Sequence, residues 1–310
     1  MSGARRTRAV VFAYHDVGAR CLRVLIAHGV EVALVVTHRD DPGENLWFER
    51  VSEVADAHRL PWIAPEDPNA SDVVARIEAL EPDFLFSFYY RRMLGAPLLA
   101  TARRGALNLH GSLLPKYRGR APVNWAILSG ESETGATLHD MTAKPDAGGI
   151  VDQQRVAIGP DETAREVFDK VTAAAAIVLD RSLPALVAGT AARRPNVLAA
   201  GSYFGGRRPE DGRIDWTWPA KRIHDLVRAV APPYPGAFCD LPAGRLAVLR
   251  TRRVDAPLDA PRMPGLFVAD TRVFGRCGDG GCVEIVEAAS GGRIADAYAV
   301  AALLARESRS

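Results

Sequence analysis

The chain has only four lysines, Lys116, Lys144, Lys170 and Lys221; every other basic residue is arginine. Basic and acidic residues nearly balance at 39 against 37, leaving a formal net charge of +2. That balance excludes the global basic footprint of a nucleic-acid binder. Cysteine is scarce as well. Cys21, Cys239, Cys277 and Cys282 are scattered, which is no framework for a small secreted disulfide fold and fits a reducing cytoplasm. The Cys277-Gly-Asp-Gly-Gly-Cys282 pair lacks a second ligand pair and is spaced too widely for a zinc knuckle, so it reads as a hairpin turn and no metal is expected. No apolar run reaches membrane-spanning length. Arg5, Arg6 and Arg8 lead into a short strand rather than the long apolar stretch of a signal peptide. Neither Gly-x-Ser-x-Gly nor His-Glu-x-x-His occurs, which removes the signatures of α/β hydrolases and zinc proteases.

What is present is a globular chain of 310 residues, 48% hydrophobic, long enough for one large or two ordinary domains. Ala9 to Tyr14 reads as a strand buried on both faces. A helical pattern follows from about Val17 to His28, then a second strand, Val32 to Thr37. This is a βαβ unit, but its first turn, His15-Asp16-Val17-Gly18-Ala19, holds one glycine. The fold is therefore expected to be Rossmann-like without the three-glycine fingerprint, and NAD is not expected. Helices are expected over about 46–58 and to Leu80, the second capped by Ser71 or Asp72. Further strands are expected at 84–88, 105–110, 135–141 and 150–158. Thr163 and Glu166 form a capping box for a long helix that Pro184 should kink or end early. Beyond about Gly201 the texture changes to short strands between Gly/Pro turns, with one helix over about 219–229. Residues 1–200 are thus expected to form a Rossmann-like α/β domain, and residues 201–310 a small OB-like β-barrel.

The stretch Asn108-Leu109-His110-Gly111-Ser112-Leu113-Leu114-Pro115 stands out. Strand side chains alternate, so Asn108 and His110 face the same way, roughly 6–7 Å apart, before Gly111 lets the chain turn. Ligands of open parallel sheets bind beyond the carboxyl ends of the strands. A single histidine there would read as a satisfied structural residue. An amide and an imidazole flanking one leucine are odd for a plain core strand. An asparagine amide can donate to an oxyanion, and a histidine beside a carboxylate can hold a proton near neutral pH. Asp146 lies before Ala147-Gly148-Gly149, which on its own is ordinary turn chemistry. Lys116, Arg118 and Arg120 alternate along the loop and can share a face toward phosphate or carboxylate, or toward solvent.

Residues 108–115, followed by Asp146-Ala147-Gly148, resemble the 10-formyltetrahydrofolate-dependent formyltransferases, a family that includes methionyl-tRNA formyltransferases and sugar N-formyltransferases. Val11 to Asp16, Phe86 to Arg91, Lys116 to Trp125 and the stretches 204–205, 227–231 and 277–280 are most similar to the formyltransferase domains of bifunctional polymyxin-resistance proteins. Those domains formylate UDP-4-amino-4-deoxy-L-arabinose for lipid A modification. The resemblance implies 10-formyltetrahydrofolate as co-substrate, Asn108 as stabiliser of the oxyanion, His110 as general acid/base and Asp146 as support for the imidazolium. It implies folate contacts at Arg92, Met93 and Leu94, at Arg120, and at Thr142, Ala143, Lys144, Pro145 and Asp146. Those bifunctional proteins also carry a decarboxylase domain that is not expected here, so either a separate partner protein, such as a decarboxylase, or a different pathway is expected to supply the amino-sugar. Methionyl-tRNA formylation is the main alternative. The loop Arg39-Asp40-Asp41-Pro42-Gly43-Glu44, with three acids and one arginine, argues against an RNA partner. Formylation of another nucleotide-linked amino-sugar is a third reading, and a non-catalytic folate-binding module the outside one. No membrane partner is expected.

Overall fold

The computed structural model describes residues 6–41, 43 and 45–305. In chain order it contains β1 (Arg8–Ala13), α1 (His15–Ala27), β2 (Glu31–Val36), α2 (Val51–Ala57), β3 (Trp62–Ile63), α3 (Ser71–Glu78), β4 (Phe84–Phe88), α4 (Ala96–Leu99) and β5 (Gly105–His110). It continues with β6 (Arg118–Gly119), α5 (Pro122–Leu128), β7 (Glu133–Asp140), β8 (Ile150–Ala157), α6 (Ala164–Ala188) and β9 (Tyr203–Phe204). Last come α7 (Ala220–Val230), β10 (Ala237–Leu241), β11 (Gly244–Val254), β12 (Gly265–Ala269), β13 (Arg272–Arg276), β14 (Cys282–Ser290), β15 (Arg293–Ile294) and α8 (Ala297–Leu304). Two compact units result. One is Met1–Pro122 with Thr134–Ala157 and Asp169–Phe204; the other is Val123–Glu133 with Ile158–Phe168 and Gly205–Ser310.

The first unit is Rossmann-like. Its seven-stranded sheet has the order β3-β2-β1-β4-β5-β7-β8. Strands β1 to β5 pair in parallel, and β4, Phe-Leu-Phe-Ser-Phe, is buried along its whole length, as a strand covered on both faces must be. The direction first reverses where β5 meets β7 antiparallel, with Asn108 opposite His139 and His110 opposite Thr137, and it reverses again at β8, which folds back along β7 with Ile158 N bonded to the Ser132 carbonyl. The second unit holds an antiparallel sheet in the order β10-β11-β14-β13-β12, with β15 on β14; its end strands do not pair, so it is an open half-barrel. The Cys277–Cys282 turn joins β13 to β14, as its glycines require. Trp216 and Trp218 pack against the core of this second unit.

Several elements differ from the sequence reading. Helix α2 starts at Val51, not near Leu46, because the preceding aromatics are drawn into tertiary contacts: Phe48 stacks on His15 at 4.1 Å and Trp47 meets it edge-on at 4.4 Å. The N-cap of α3 is Ala70, and neither Ser71 nor Asp72 caps it. The Thr163–Glu166 capping box is present, with Thr163 N donating to Glu166 Oε2 at 2.7 Å, but α6 runs on through Pro184 to Ala188. At 25 residues α6 is long and apolar enough by length and composition to cross a membrane, contrary to the expectation that no run would be. Half of that window is buried within the molecule, and Val171, Ala174, Ala175, Val178, Leu179 and Leu186 form the buried stripe of a core helix. Strands β13 and β15 and helix α8 were not visible in the sequence.

Strand β5 carries the candidate residues, and Leu107 within it is fully buried. Leu107→Ala should lower stability by about 2–5 kcal/mol through lost transfer energy and a residual cavity. Urea unfolding followed by tryptophan fluorescence measures it; an unchanged midpoint would show that β5 does not depend on that packing.

Candidate active site

The polar cluster forms where β5 ends. Because β7 is antiparallel to β5, His139 lies opposite Asn108. The segment after β7 loops out and closes on itself, with Asp140 N donating to the Gly149 carbonyl at 2.9 Å. That loop brings Asp146 back against the strand end. Asp146 Oδ1 lies 3.6 Å from His110 Nδ1, 3.5 Å from His139 Nε2 and 3.4 Å from Asn108 Nδ2. Asp146 Oδ2 accepts the Gly119 N–H at 2.8 Å. The residues Asn108, His110 and Asp146, 38 positions apart at the extremes, therefore meet.

The hydrogen-bond partners fix the ring orientations. His110 Nε2 lies 2.8 Å from the Tyr117 carbonyl, which can only accept, so Nε2 carries a proton and Nδ1 is the nitrogen facing Asp146. His139 Nδ1 likewise donates to the Asp140 carbonyl at 2.8 Å. His139 Nε2, 3.1 Å from Asn108 Nδ2 and 3.5 Å from Asp146 Oδ1, accepts from the amide when unprotonated and donates to the carboxylate when protonated. Burial opposes the charge of Asp146, but His110, His139 and the Gly119 N–H outweigh it and hold its carboxyl well below the usual carboxylate range. The imidazoles are buried, His110 at 6% exposure and His139 at 1%, while Asn108 and Asp146 are half-buried and open the cluster on one side.

Two glycines are set by close approach. Gly111 has no positive φ, so the sharp turn expected of it is not its purpose; a Cβ there would collide with the Tyr89 hydroxyl. Gly119 has φ 97°, and a Cβ would strike the Phe204 carbonyl, because β6 pairs in parallel with β9. The loop between Gly111 and β6 is tied down from below. Ser112 Oγ donates to the Lys116 carbonyl at 2.6 Å, Thr137 Oγ1 to the Ser112 carbonyl at 2.6 Å, and Gln153 Nε2 to the Leu114 carbonyl at 2.9 Å.

The remaining expected residues fall into two groups. Thr142 to Asp146 run continuously into the cluster; Thr142, Ala143 and Lys144 are exposed, and Thr142 Oγ1 donates to the Lys144 carbonyl at 2.9 Å. Arg120 is exposed one residue beyond Gly119, its N–H donating to the Phe204 carbonyl at 3.0 Å. Arg92, Met93 and Leu94 follow β4, the parallel neighbour of β5, so they too lie past a carboxyl end. Among the described residues no hydrogen bond joins them to Asn108, His110 or Asp146. Leu94 is buried, Met93 is exposed, and the Met93 carbonyl accepts from Asn69 Nδ2 at 3.0 Å. Lys116 is exposed and Arg118 buried. Of the acidic loop, Pro42 and Glu44 lie outside the described residues; Asp40 pairs with Arg50 at 2.5 Å.

Sequence reasoning missed His139 and Asn196. A histidine among the buried residues of β7 was the available signal for the first. Asn196 gives none: its Nδ2 donates to the carbonyls of Asp146 at 3.0 Å and Gly148 at 3.2 Å, a contact made 50 residues along the chain.

Residues 15–183 match the family described as Formyl transferase, and residues 207–302 match Formyl transferase, C-terminal domain. Among solved structures, the chain is similar to an N-formyltransferase from Helicobacter canadensis in complex with folinic acid and dTDP-3-aminofucose, at 17% identity and TM-score 0.72 over 91% of this chain and 99% of that one. It is similar to WlaRD, a sugar 3N-formyl transferase in the presence of dTDP and 5-N-formyl-THF, at 15% identity and TM-score 0.73 over 91% and 97%. It is also similar to HypX from Aquifex aeolicus in complex with tetrahydrofolic acid, at 18% identity and TM-score 0.64 over 92% of this chain and 44% of that one. At these identities the structural likeness is one of fold.

Because the Asp146 carboxyl is held low in the folded protein, its ionisation stabilises the fold fully above about pH 4, and that share is lost as the pH falls further. Asp146→Asn should therefore flatten the acid side of the stability curve. Chemical unfolding between pH 6 and pH 3 measures this; parallel curves for the two proteins would show that Asp146 is not held in its charged form.

Proposed function

The chain belongs to the formyl transferase family and is a formyltransferase that uses 10-formyltetrahydrofolate; from that premise we propose that its acceptor is the primary amine of a nucleotide-linked amino-sugar, and within that class the 4-amine of UDP-4-amino-4-deoxy-L-arabinose, as in lipid A modification. The observation that carries the catalytic part is the meeting of Asn108, His110 and Asp146 at the carboxyl end of β5. The acceptor is supported by the resemblance of residues 86–91 and 116–125 to the sugar branch. Similar folds, moreover, were solved with dTDP or dTDP-3-aminofucose. The Arg39–Glu44 loop, with three acids against one arginine, disfavours an RNA backbone. The enzyme would work in the cytoplasm.

The residues present fit a reduced folate. The exposed turn 142–144, which runs directly onto Asp146, would hold it together with Arg120 and the segment 92–94, and it supplies a formyl carbon bonded to nitrogen. The protein then orients and moves a proton. A neutral amine attacks the formyl carbon, the new C–N bond forms, and negative charge develops on the formyl oxygen. Asn108 Nδ2 would donate to that oxygen, giving up its long 3.4 Å contact with Asp146. His110 Nε2 is committed to the Tyr117 carbonyl, so Nδ1 takes the amine proton and delivers it to the leaving folate nitrogen as the old C–N bond breaks. The charged Asp146 favours that transient imidazolium. With His110 so buried, little water competes for the formyl group.

The first test supplies 10-formyltetrahydrofolate with UDP-4-amino-4-deoxy-L-arabinose, with other nucleotide amino-sugars, or with methionyl-tRNA, and reads products by mass spectrometry. A gain of one formyl group on the UDP-arabinose derivative is expected. Formylation of methionyl-tRNA alone would overturn the acceptor assignment. Asn108→Ala should lower kcat by about 10²–10³, the cost of one oxyanion donor, with the unfolding midpoint unchanged. A loss below tenfold would remove Asn108 from that role.

A further inference from the structure

Two arginines are buried among the described residues, Arg118 at 9% exposure and Arg228 at 6%. Arg228 shows what a buried guanidinium requires. Its Nε and one terminal nitrogen pair with Asp225 at 2.9 and 2.8 Å, and the other terminal nitrogen donates to the carbonyls of Gly159 and Glu162 at 3.1 and 3.2 Å. Arg118 has nothing comparable. Its Nε is sealed from solvent without a hydrogen-bond partner, and no carboxylate among the described residues pairs with it. The ring of Tyr203 lies 6.0 Å from the guanidinium carbon, at the outer edge of a cation–π contact. Tyr203 itself is 57% exposed.

A guanidinium whose Nε is sealed from water and whose charge no carboxylate answers leaves its terminal nitrogens as open donors for an anion from outside. The position of Arg118 says which molecule the anion belongs to. Its neighbours in sequence hold the reactive cluster: the Tyr117 carbonyl takes the proton of His110, and the Gly119 N–H holds Asp146. An anion held at Arg118 is therefore placed next to those groups by three consecutive residues, 117–119. The exposed ring beside it suits an organic anion with a flat group to stack.

We propose that Arg118, with Tyr203, anchors the diphosphate of the nucleotide-linked acceptor, and that it rather than the exposed Lys116 is the chain's phosphate ligand on this loop. The inference rests on the acceptor class proposed above. Arg118 is the binding residue and takes no part in proton transfer.

The test compares wild type, Arg118→Met and Arg118→Lys by titration calorimetry with UDP, dTDP and folinic acid, alongside thermal unfolding and the formylation assay. Arg118→Met should weaken UDP or dTDP binding by about 10- to 100-fold, the loss expected for charge-assisted hydrogen bonds, and leave folinic acid binding unchanged. Arg118→Lys should fall between. Ligand-free Arg118→Met should melt no lower than wild type, because it removes a charge the fold does not answer, but it should lose the rise in Tm that UDP or dTDP gives. A fall in the ligand-free Tm together with loss of folinic acid affinity would mark Arg118 as a structural residue and overturn the proposal. Unchanged UDP and dTDP affinity in Arg118→Met, while wild type still formylates a nucleotide amino-sugar, would overturn the anchor and leave the acceptor class standing. A wild type that neither binds the nucleotides nor formylates such sugars would overturn both.

Discussion

A carboxylate taken out of water must be answered on both oxygens, and the Asp146 side chain sets the geometry of everything around it. Oδ2 takes a backbone N–H from Gly119, and Oδ1 faces two imidazoles and an amide. The backbone of Asp146 is left-handed at φ 48°, a conformation that costs about 1–2 kcal/mol for an L-residue. It persists because the turn is held from outside its own sequence. Asn196 binds the carbonyls on either side of Ala147, Arg194 exchanges backbone hydrogen bonds with Ile150, and Arg193 pairs with Asp140 at the neck of the loop. The short ribbon of β6 and β9 has the same function from the other direction, since it places Gly119 N–H where Oδ2 needs it.

The antiparallel joint between β5 and β7 is the second constraint. In a wholly parallel sheet the residue beside Asn108 would come from a strand running the same way. Here β7 arrives from the opposite end, so its His139 reaches Asn108 while the chain leaves toward the Asp146 loop. One reversal of direction thus supplies both the partner that orients the Asn108 amide and the segment that carries the carboxylate.

This division explains what could be read from the sequence. Strands β1, β4 and β5 are continuous apolar runs buried on both faces, and such runs are legible without context. Asn108 and His110 were legible as polar residues interrupting one of those runs. His139 was not, because its meaning depends on the reversed register of β7. Asn196 was not, because its contacts are made far from it in sequence. The start of α2 failed for the same reason: Trp47 and Phe48 look helical but are claimed by His15 across the fold. Strand β13, Arg-Val-Phe-Gly-Arg, is too short and too charged at its ends to announce itself without β14 beside it.

Asp146 and Arg118 lie on either side of Gly119 in the hydrogen-bond pattern and are treated in opposite ways. The carboxylate is satisfied by the folded chain itself, so its position and charge are set before any ligand arrives. Arg118 is also largely buried, but its Nε has no internal partner and no carboxylate answers its charge. A group that acts on the reaction must be preorganised, since any rearrangement during the step adds to the barrier. A group that holds the acceptor gains by being left short of a partner, because the ligand's anion then relieves a cost the fold already carries instead of displacing an internal contact. On the roles proposed above, that difference in how the protein answers the two charges would separate reaction from recognition along this one loop.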